Sequence, residues 1–442
     1  MSGQLQKQIG ISVAISLVMG TVIGSGIFMK PGRVIEYAGD SNLAMLAWIL
    51  GGLLSIAGGL TMAEISVQFP RTGGLVVYLE EVYGKVWGFL SGWMQTIIYG
   101  PAIMGALGLY FGSLLANFFH WDASLKPWLG VAAVLFLFTV NSLGTRYGGF
   151  VQTASTVAKF VPIVLIAVLG LIKGDAAIWG AESGIAEQMG MGAAILATLW
   201  AYDGWMLVGN VAGEMKNPGK HLPIAIVGGL TIVMVAYVLV NLAMLHVLPA
   251  SQIALLGENA ASTVAQQVMG GLGSKVISIG ILISIFGCLN GKILAFPRVT
   301  FAMAERGQLP FSRVFAKVHP KLGTPVGATL LQVVIAIVMM TLTNPDYLSE
   351  MAIFAIYIFY ILAFIAIFIL RRRHPGMKRV YSVPLYPVIP LVAIGGSLFV
   401  VGSTLFNQFY DCLWAILITL LGLPLYVVMN RRNKENKLPV SS

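Results

Sequence analysis

Apolar runs of about 20 residues follow one another along almost the whole chain, separated by short segments that contain charged residues or prolines. Of the 442 residues, 57% are hydrophobic and only 10% are charged, which is more apolar surface than one soluble core could bury. A helix needs about 20 residues to cross a bilayer core. The sequence therefore predicts an all-α polytopic membrane protein without a sizeable soluble domain.

The apolar runs divide the chain into twelve predicted membrane spans. They lie at residues 10–36, 42–67, 86–118, 126–143, 149–172, 191–213, 222–248, 274–303, 325–343, 347–370, 386–407 and 411–430. We expect one transmembrane domain over residues 1–430 and a basic tail over residues 431–442.

Lysine and arginine are distributed unevenly between the two sides of this predicted bundle. With the N-terminus inside, most of the 27 lie in segments on the cytoplasmic side. Because short cytoplasmic segments are enriched in these cations, we expect a multi-pass cell-membrane protein with both termini in the cytoplasm. The net charge of +10 has the same origin, so the expected partner is the lipid bilayer, with its anionic headgroups, and not a nucleic acid.

The first apolar segment is broken near its middle by Gly20-Thr-Val-Ile-Gly-Ser-Gly-Ile-Phe28. An unwound membrane helix exposes backbone polar groups, which is tolerated where those groups line a cavity or bind a ligand. The N–H groups that follow the break suit a carboxylate, and carbonyl groups around Thr21 and Val22 suit an ammonium group or another cation. Ser25 adds a hydroxyl. The alternative is that the glycines only allow close packing of helices.

A second break, Trp200-Ala-Tyr-Asp-Gly-Trp205, interrupts the sixth predicted span. A carboxylate at the depth of Asp203 is costly unless it has a cavity, a partner or a proton. We interpret Asp203 as a hydrogen-bonded joint of the unwound backbone, with proton carriage and substrate contact as alternatives. The two tryptophans could be interfacial anchors or an aromatic plate over a ligand.

The two breaks occupy equivalent places in two sets of five spans. Because five is odd, a tandem copy enters the membrane from the opposite side, which gives an inverted repeat. We expect the repeat over residues 10–172 and 191–370, with two appended helices over residues 386–430. Paired broken helices of this kind are typical of a transport site.

Lys159 lies ~10 residues into the fifth span, close to the bilayer midplane and too deep to reach either surface. We expect its ammonium to face a cavity or a set of carbonyl groups, of which the broken ends of the first span are candidates. It could replace a bound sodium ion, carry a proton, or be buried without a role in transport. Glu64, Lys292 and Arg298 lie near predicted cytoplasmic ends, where snorkelling would explain them.

Other classes of protein find little support in the sequence. No serine-nucleophile, His-Glu-x-x-His or paired-carboxylate motif lies in the spans, so we expect no enzyme, no metal and no cofactor. A channel or a nutrient-sensing receptor is a minor alternative, without repeated pore charges or a signalling domain to support it. The two cysteines, Cys288 and Cys412, lie within predicted spans, which argues against a disulfide framework.

Five motifs in fixed order resemble the amino acid-polyamine-organocation superfamily, and most closely its L-amino acid transporters. These transporters include the light subunits of heteromeric amino acid transporters and their bacterial relatives, and the resemblance covers essentially the whole chain. The motifs are Gly20-Thr-Val-Ile-Gly-Ser-Gly-Ile-Phe28, Pro70-Arg-Thr-Gly-Gly74, Trp200-Ala-Tyr-Asp-Gly-Trp205, Glu214-Met-Lys-Asn-Pro218 with Leu222-Pro-Ile-Ala-Ile226, and Phe286-Gly-Cys-Leu-Asn-Gly291.

This resemblance implies a LeuT-like fold and sodium-independent exchange of small neutral L-amino acids, of the alanine, serine and cysteine type, by alternating access. The substrate carboxylate would bind amides after the first break, and its amino group would bind carbonyl groups at both breaks. The substrate-binding residues expected on this basis are Thr21, Val22, Gly24, Ser25, Gly26, Ile27, Trp200, Ala201 and Tyr202.

The resemblance also implies roles for three further features. Trp200 falls at the gating aromatic, and Lys159 at a lysine that replaces a sodium site and ties span 1 to span 8, where Ser284 and Cys288 lie nearest and Ser284 is favoured. The loop between spans 3 and 4, His120-Trp-Asp-Ala-Ser-Leu-Lys126, lacks the cysteine that bonds a heavy subunit in animal relatives. We therefore expect no disulfide-linked heavy subunit and a bacterial source. A proton-coupled symporter remains the alternative, with Lys159 or Asp203 as the proton site.

Overall fold

The computed structural model describes residues 10–69, 74–144, 151, 154–155, 158–179, 189–206, 215–319, 323–376 and 379–435. Residues 70–73 of one motif, Glu214 of another and residues 436–442 of the basic tail lie outside these ranges. Within them the chain is helical and contains no β-strand.

Twenty α-helices are described, numbered here in chain order. They are α1 (Ile11–Val22), α2 (Gly26–Met29), α3 (Pro31–Ala38), α4 (Ser41–Gln68), α5 (Leu75–Tyr83), α6 (Lys85–Met94), α7 (Gly100–Phe119), α8 (Lys126–Ser142), α9 (Phe160–Lys173), α10 (Met191–Ala201), α11 (Pro218–Val247), α12 (Ala250–Leu256), α13 (Ala260–Ala295), α14 (Pro297–Glu305), α15 (Ser312–Phe315), α16 (Val326–Leu342), α17 (Pro345–Arg373), α18 (Val388–Asn407), α19 (Phe409–Leu420) and α20 (Gly422–Glu435).

The helices agree with the predicted all-α membrane architecture. In the described ranges, nine helical segments are long and apolar enough to cross a membrane. Three shorter apolar helices, α9, α10 and α16, stand at the places predicted for spans 5, 6 and 9. Apolar side chains on the outer face of α9, such as Val164, Val168 and Ile172, are exposed, as lipid-facing residues would be.

Both predicted breaks are present. The first is shorter than the motif that predicted it, because α1 continues through Gly20 to Val22 and only residues 23–25 leave the helix before α2 begins. The second follows Ala201, where Gly204 has a φ of +119°, a left-handed conformation that favours glycine.

Span 3 contains an irregularity that the sequence analysis did not predict. Residues Gln95–Tyr99 form a π-helical turn between α6 and α7. Pro101 lies two residues after the turn and has no N–H to continue the α-helical hydrogen-bond ladder, which favours such a local widening. The turn shifts the side chains before Pro101 around the helix axis.

Span 8 differs from its predicted bounds. The long helix α13 is kinked at Gly270, where φ is +72°, so its first part is a separate helix beside α12. The remaining part ends at Ala295, and Pro297 begins α14. Helix α14 continues to Glu305, past the predicted end at residue 303, and Pro297 stands in its first turn, where a proline is best tolerated.

Glu64 does not snorkel, so that expectation is wrong. Its side chain is fully buried, and both carboxylate oxygens receive hydrogen bonds from Arg371, at 3.0 and 2.7 Å. The backbone N–H of Val383 adds a bond of 2.7 Å. Glu64 thus joins α4 to the end of α17 and to the segment that follows it, as a buried charge with full hydrogen bonding.

Candidate functional site

The two helix breaks lie directly against each other. A Cβ atom on Gly26 would lie 2.4 Å from the Cα of Ala201, and one on Gly204 would lie 2.5 Å from the carbonyl oxygen of Thr21. Both distances are too short for any side chain. Close packing, which was the alternative reading of the first motif, is therefore one function of its glycines, and it brings the exposed backbone of both breaks together.

Lys159 lies immediately before α9 and is only 2% exposed. Its ammonium donates hydrogen bonds to the carbonyl oxygens of Gly20, at 2.5 Å, and Ile23, at 2.7 Å. These oxygens are at the negative end of the α1 dipole, which stabilises a cation. No carboxylate of the described residues forms an ion pair with Lys159. The ammonium thus occupies the position that a bound cation would take at this helix end.

Other side chains hold the remaining carbonyl groups of the breaks. Ser284 donates from α13 to the carbonyl oxygen of Gly24 at 3.2 Å. Tyr237 of α11 lies 3.0 Å from the carbonyl oxygen of Ala201 and 3.3 Å from that of Val22. Span 1 is therefore tied to span 8 through Ser284, and to span 5 through Lys159, whose side-chain hydrogen bonds within the described residues all go to span 1.

A small cavity lies beside the first break. The walls come from both breaks, from α7 and from α13, and the residues that line it are Val22, Gly24, Ser25, Gly26, Ile103, Leu107, Trp200, Asp203, Cys288 and Lys292. The hydroxyl of Ser25 is buried in this wall and has no hydrogen-bond partner among the described residues. The N–H groups of Gly26 and Ile27 also have no acceptor in the described part of the chain. Buried polar groups normally have partners, so these groups suit a polar ligand.

The predicted binding residues divide into two sets. Five of them line the cavity: Val22, Gly24, Ser25, Gly26 and Trp200. The other four do not, and their side chains point elsewhere or are packed in the core: Thr21, Ile27, Ala201 and Tyr202. The Thr21 hydroxyl, for example, bonds to a carbonyl of its own helix at 2.8 Å, and the Tyr202 hydroxyl bonds to the carbonyl oxygen of Trp48 at 3.0 Å.

Asp203 forms a buried ion pair with Lys292, with 2.8 Å between Oδ2 and the ammonium nitrogen. The other carboxylate oxygen accepts a hydrogen bond of 2.6 Å from the hydroxyl of Tyr99, at the end of the π-helical turn. Asp203 therefore connects the second break with spans 3 and 8, as a hydrogen-bonded joint would. The expectation that Lys292 snorkels is wrong, because it is only 4% exposed.

The sequence analysis missed several residues of this cavity. Lys292 had a usable signal, because it follows Ser284 and Cys288 at four-residue intervals and shares their helix face. Tyr99 had none, since the π-helical turn that directs it to Asp203 leaves no periodic pattern in the sequence.

A buried polar cluster closes the bundle beyond α2. The ammonium of Lys30 is fully buried and lies 2.6 Å from Asp346 and 2.8 Å from the hydroxyl of Ser349, both on α17. Tyr37 of α3 donates to Glu350 at 2.9 Å. These contacts hold the first broken span against span 10 on this side of the cavity.

The sequence model of the amino acid permease family matches residues 9–423. This chain belongs to that family. The match confirms the resemblance to the amino acid-polyamine-organocation superfamily, and this permease is a multi-pass membrane transport protein and not an enzyme.

Individual relatives of this permease are transporters as well. It is 58% identical over 428 residues to the serine/threonine exchanger SteT of Bacillus subtilis (strain 168), covering 97% of this chain and 98% of that protein. It is 30% identical to the mouse b(0,+)-type amino acid transporter 1, covering 96% of this chain and 88% of the relative. The human cystine/glutamate transporter is 29% identical, with 96% and 85% covered.

Proposed function

We propose that this permease exchanges small neutral L-amino acids, one for one, by alternating access and without sodium. The observation that carries the proposal is the cavity between the two breaks, whose wall holds the Ser25 hydroxyl, a group with no hydrogen-bond partner among the described residues. A relative that matches nearly the full length is named a serine/threonine exchanger.

The substrate carboxylate would bind at the start of α2. The hydroxyl of Ser25 and the N–H groups of Gly26 and Ile27 are donors there that have no acceptor within the described ranges. The N–H of Ser25 faces the thiol of Cys288 and is the weaker candidate. Charge-assisted bonds of this kind are stronger than bonds between neutral groups, so three donors can fix a carboxylate.

The substrate amino group would bind carbonyl oxygens at Thr21 and near Trp200. Neighbouring carbonyls already accept bonds from Tyr237 and Ser284, but each carbonyl oxygen can accept a second one. Because the zwitterion would be bound by backbone groups and the Ser25 hydroxyl, this recognition would be independent of the amino-acid side chain.

Lys159 supports the proposed sodium independence. A fixed ammonium at the carbonyl oxygens of Gly20 and Ile23 supplies the positive charge that a sodium ion would otherwise bring to the broken helix. Because this cation is part of the protein, transport would not be coupled to a sodium gradient.

Preference for small neutral side chains would come from the cavity walls. Ile103, Leu107 and Trp200 are apolar or aromatic, and the charges of Asp203 and Lys292 compensate each other. Trp200 is 7% exposed and would act as the gate, closing over the bound amino acid.

Orientation and assembly are part of the proposal. Both termini would be cytoplasmic, because most basic residues of the loops then lie inside. The cluster around Lys30 and Asp346 would close the outer face. The permease would function without a disulfide-linked heavy subunit, since Cys288 and Cys412 lie within α13 and α19.

Proton-coupled symport is a second candidate, and the same lysine favours it. Lys159 is buried and, among the described residues, its ammonium donates only to carbonyl oxygens, so loss of its proton would release the first break from span 5. An exchanger needs no such step.

The substrate and the coupling ion can be tested in one series with purified protein in proteoliposomes preloaded with unlabelled serine. Uptake of labelled serine should be the same in sodium and in choline buffer, and alanine, serine, threonine and cysteine should compete for it. Arginine and glutamate should compete weakly. A requirement for sodium, or competition by charged amino acids equal to that of serine, would contradict the proposal.

A further inference from the structure

We propose that the ion pair of Asp203 and Lys292 selects the net charge of the substrate side chain, and that Tyr99 positions the carboxylate of this pair. This inference rests on the proposed amino-acid transport, because it concerns the same cavity. It assigns to Asp203 a part in specificity in addition to its place in the second break.

The pair forms part of the cavity wall. Asp203 and Lys292 both line the cavity that contains the Ser25 hydroxyl, and each side chain is only 6% exposed. A side chain that enters this space meets two charges 2.8 Å apart that compensate each other. Since a charge is costly in a site without water, a neutral wall favours a neutral side chain.

Tyr99 fixes one half of the pair. Its hydroxyl bonds to Oδ1 of Asp203 at 2.6 Å, while Lys292 occupies Oδ2. The Tyr99 ring packs edge-on against Phe296, with 5.1 Å between ring centroids, and the ammonium of Lys292 lies 5.3 Å from the same Phe296 ring. One aromatic ring therefore contacts both the tyrosine and the cation.

The π-helical turn gives Tyr99 its direction. Tyr99 is the last residue of that turn, directly before α7, and a regular helix would place it on a different face. The turn therefore directs the Tyr99 hydroxyl to the carboxylate of the ion pair. Tyr99 is not among the residues that line the cavity, so it acts through Asp203.

Because Lys159 adds a positive charge nearby, the net charge of the site depends on whether Asp203 and Lys292 are both charged. Its charge lies at the first break and has no carboxylate partner among the described residues. With Asp203 neutralised, the cavity would carry the unpaired cation of Lys292 and should accept an anionic side chain. With Lys292 neutralised, the unpaired carboxylate of Asp203 should accept a cationic one.

These opposite expectations can be measured in proteoliposomes loaded with labelled serine, as efflux driven by external amino acids at pH 7. The drivers are serine, aspartate and 2,4-diaminobutyrate, which have similar size and neutral, negative and positive side chains. In Asp203→Asn, aspartate-driven efflux relative to serine-driven efflux should rise at least ~10-fold over the wild type. In Lys292→Met, the ratio for diaminobutyrate should rise by a similar factor.

The double variant and a tyrosine variant complete the set. Asp203→Asn with Lys292→Met restores a neutral wall, so both ratios should return toward the wild-type values. Tyr99→Phe keeps both charges but removes the bond to Oδ1, so the aspartate ratio should rise by a smaller factor. A purely structural role of Tyr99 would lower all three rates together and leave the ratios unchanged, which would overturn the positioning part.

The inference is overturned if both single variants, as monodisperse proteins, lose efflux with all three drivers by the same factor. If a single variant does not fold, the inference is tested by the efflux ratios of the double variant and of Tyr99→Phe. Failure of the proposed function is a different result, namely no serine exchange by the wild type. In that case, the charge preference is measured as the rise in melting temperature of the purified variants with aspartate or diaminobutyrate. A larger rise with aspartate for Asp203→Asn, and with diaminobutyrate for Lys292→Met, supports the inference. Equal rises with both ligands overturn it.

Discussion

The ammonium nitrogen of Lys159 lies 2.7 Å from the carbonyl oxygen of Ile23, the first residue beyond the end of α1. A second bond joins it to Gly20, inside the last turn of that helix. One side chain from span 5 therefore binds two carbonyl oxygens at the end of the broken helix, one inside its last turn and one just beyond it. The carbonyl groups that the break exposes are thus bound to a cation that belongs to the protein.

Replacing Lys159 by alanine should lower serine exchange at least ~10-fold, because the carbonyl groups at the break lose the cation that satisfies them. The measurement is initial uptake into preloaded proteoliposomes, at equal amounts of monodisperse protein. Lys173→Ala is a matched control on the same helix, since Lys173 bonds to the carbonyl oxygen of Val268 at 2.7 Å and lies outside the cavity. Equal losses in the two variants would exclude a special role for Lys159.

Gly26→Ala should abolish exchange, because the added methyl group would lie 2.4 Å from the Cα of Ala201 and force the two breaks apart. Gly402→Ala is the control: nothing lies within 4 Å of a Cβ at this position of α18. Alanine is favoured over glycine in a helix by about 1 kcal/mol, so the control should be as stable as the wild type or more so. Thermal melting and exchange rates of both variants check this, and normal exchange by Gly26→Ala would show that the breaks separate without loss of function.

Cys288 lines the cavity, whereas Cys412 lies in α19, away from it. In a Cys412→Ser background, a small neutral thiol reagent should modify Cys288 and inhibit exchange, and serine should slow this modification because it occupies the same space. Mass spectrometry of the modified protein measures the rate. Glycerol at the same concentration is the control solute. Modification at the same rate with serine and with glycerol would place the substrate elsewhere.

Asp346→Asn should weaken closure of the outer face, because Lys30 loses an ion pair of 2.6 Å in a buried cluster. A membrane-impermeant thiol reagent, added from outside, should then reach Cys288 several-fold faster than in the wild type. Glu80→Gln serves as a matched control, since its ion pair with Arg306, at 2.8 Å, is largely exposed and of the kind that contributes little to stability. An unchanged rate in Asp346→Asn would mean that the cluster does not hold the outer face shut.

Much of this site could be predicted from the sequence, because parts of it have local sequence signals. Glycines and polar residues inside apolar runs predicted both breaks, and the depth of Lys159 predicted that it faces either a cavity or a set of backbone carbonyl groups. The pairing of Lys292 with Asp203 joins residues 89 positions apart, and that of Lys30 with Asp346 joins residues 316 apart. No periodic pattern connects such partners, so a buried charge could be recognised in the sequence while its counter-ion could not.

The sequence also could not predict how many residues of the first span are unwound. The glycine-rich motif begins at Gly20, but α1 continues to Val22. Lys159 bonds to the carbonyl groups of that last turn, and Tyr237 from α11 contacts Val22. These tertiary contacts set where the helix ends, whereas glycine content only shows where it can end.

The most direct test of amino-acid exchange at the two breaks is labelled-serine uptake into proteoliposomes with and without internal serine. The account predicts rapid uptake only in preloaded vesicles, with one serine leaving for each that enters, and no response to an imposed pH gradient. Net uptake into empty vesicles that follows the pH gradient would contradict it and favour proton-coupled symport.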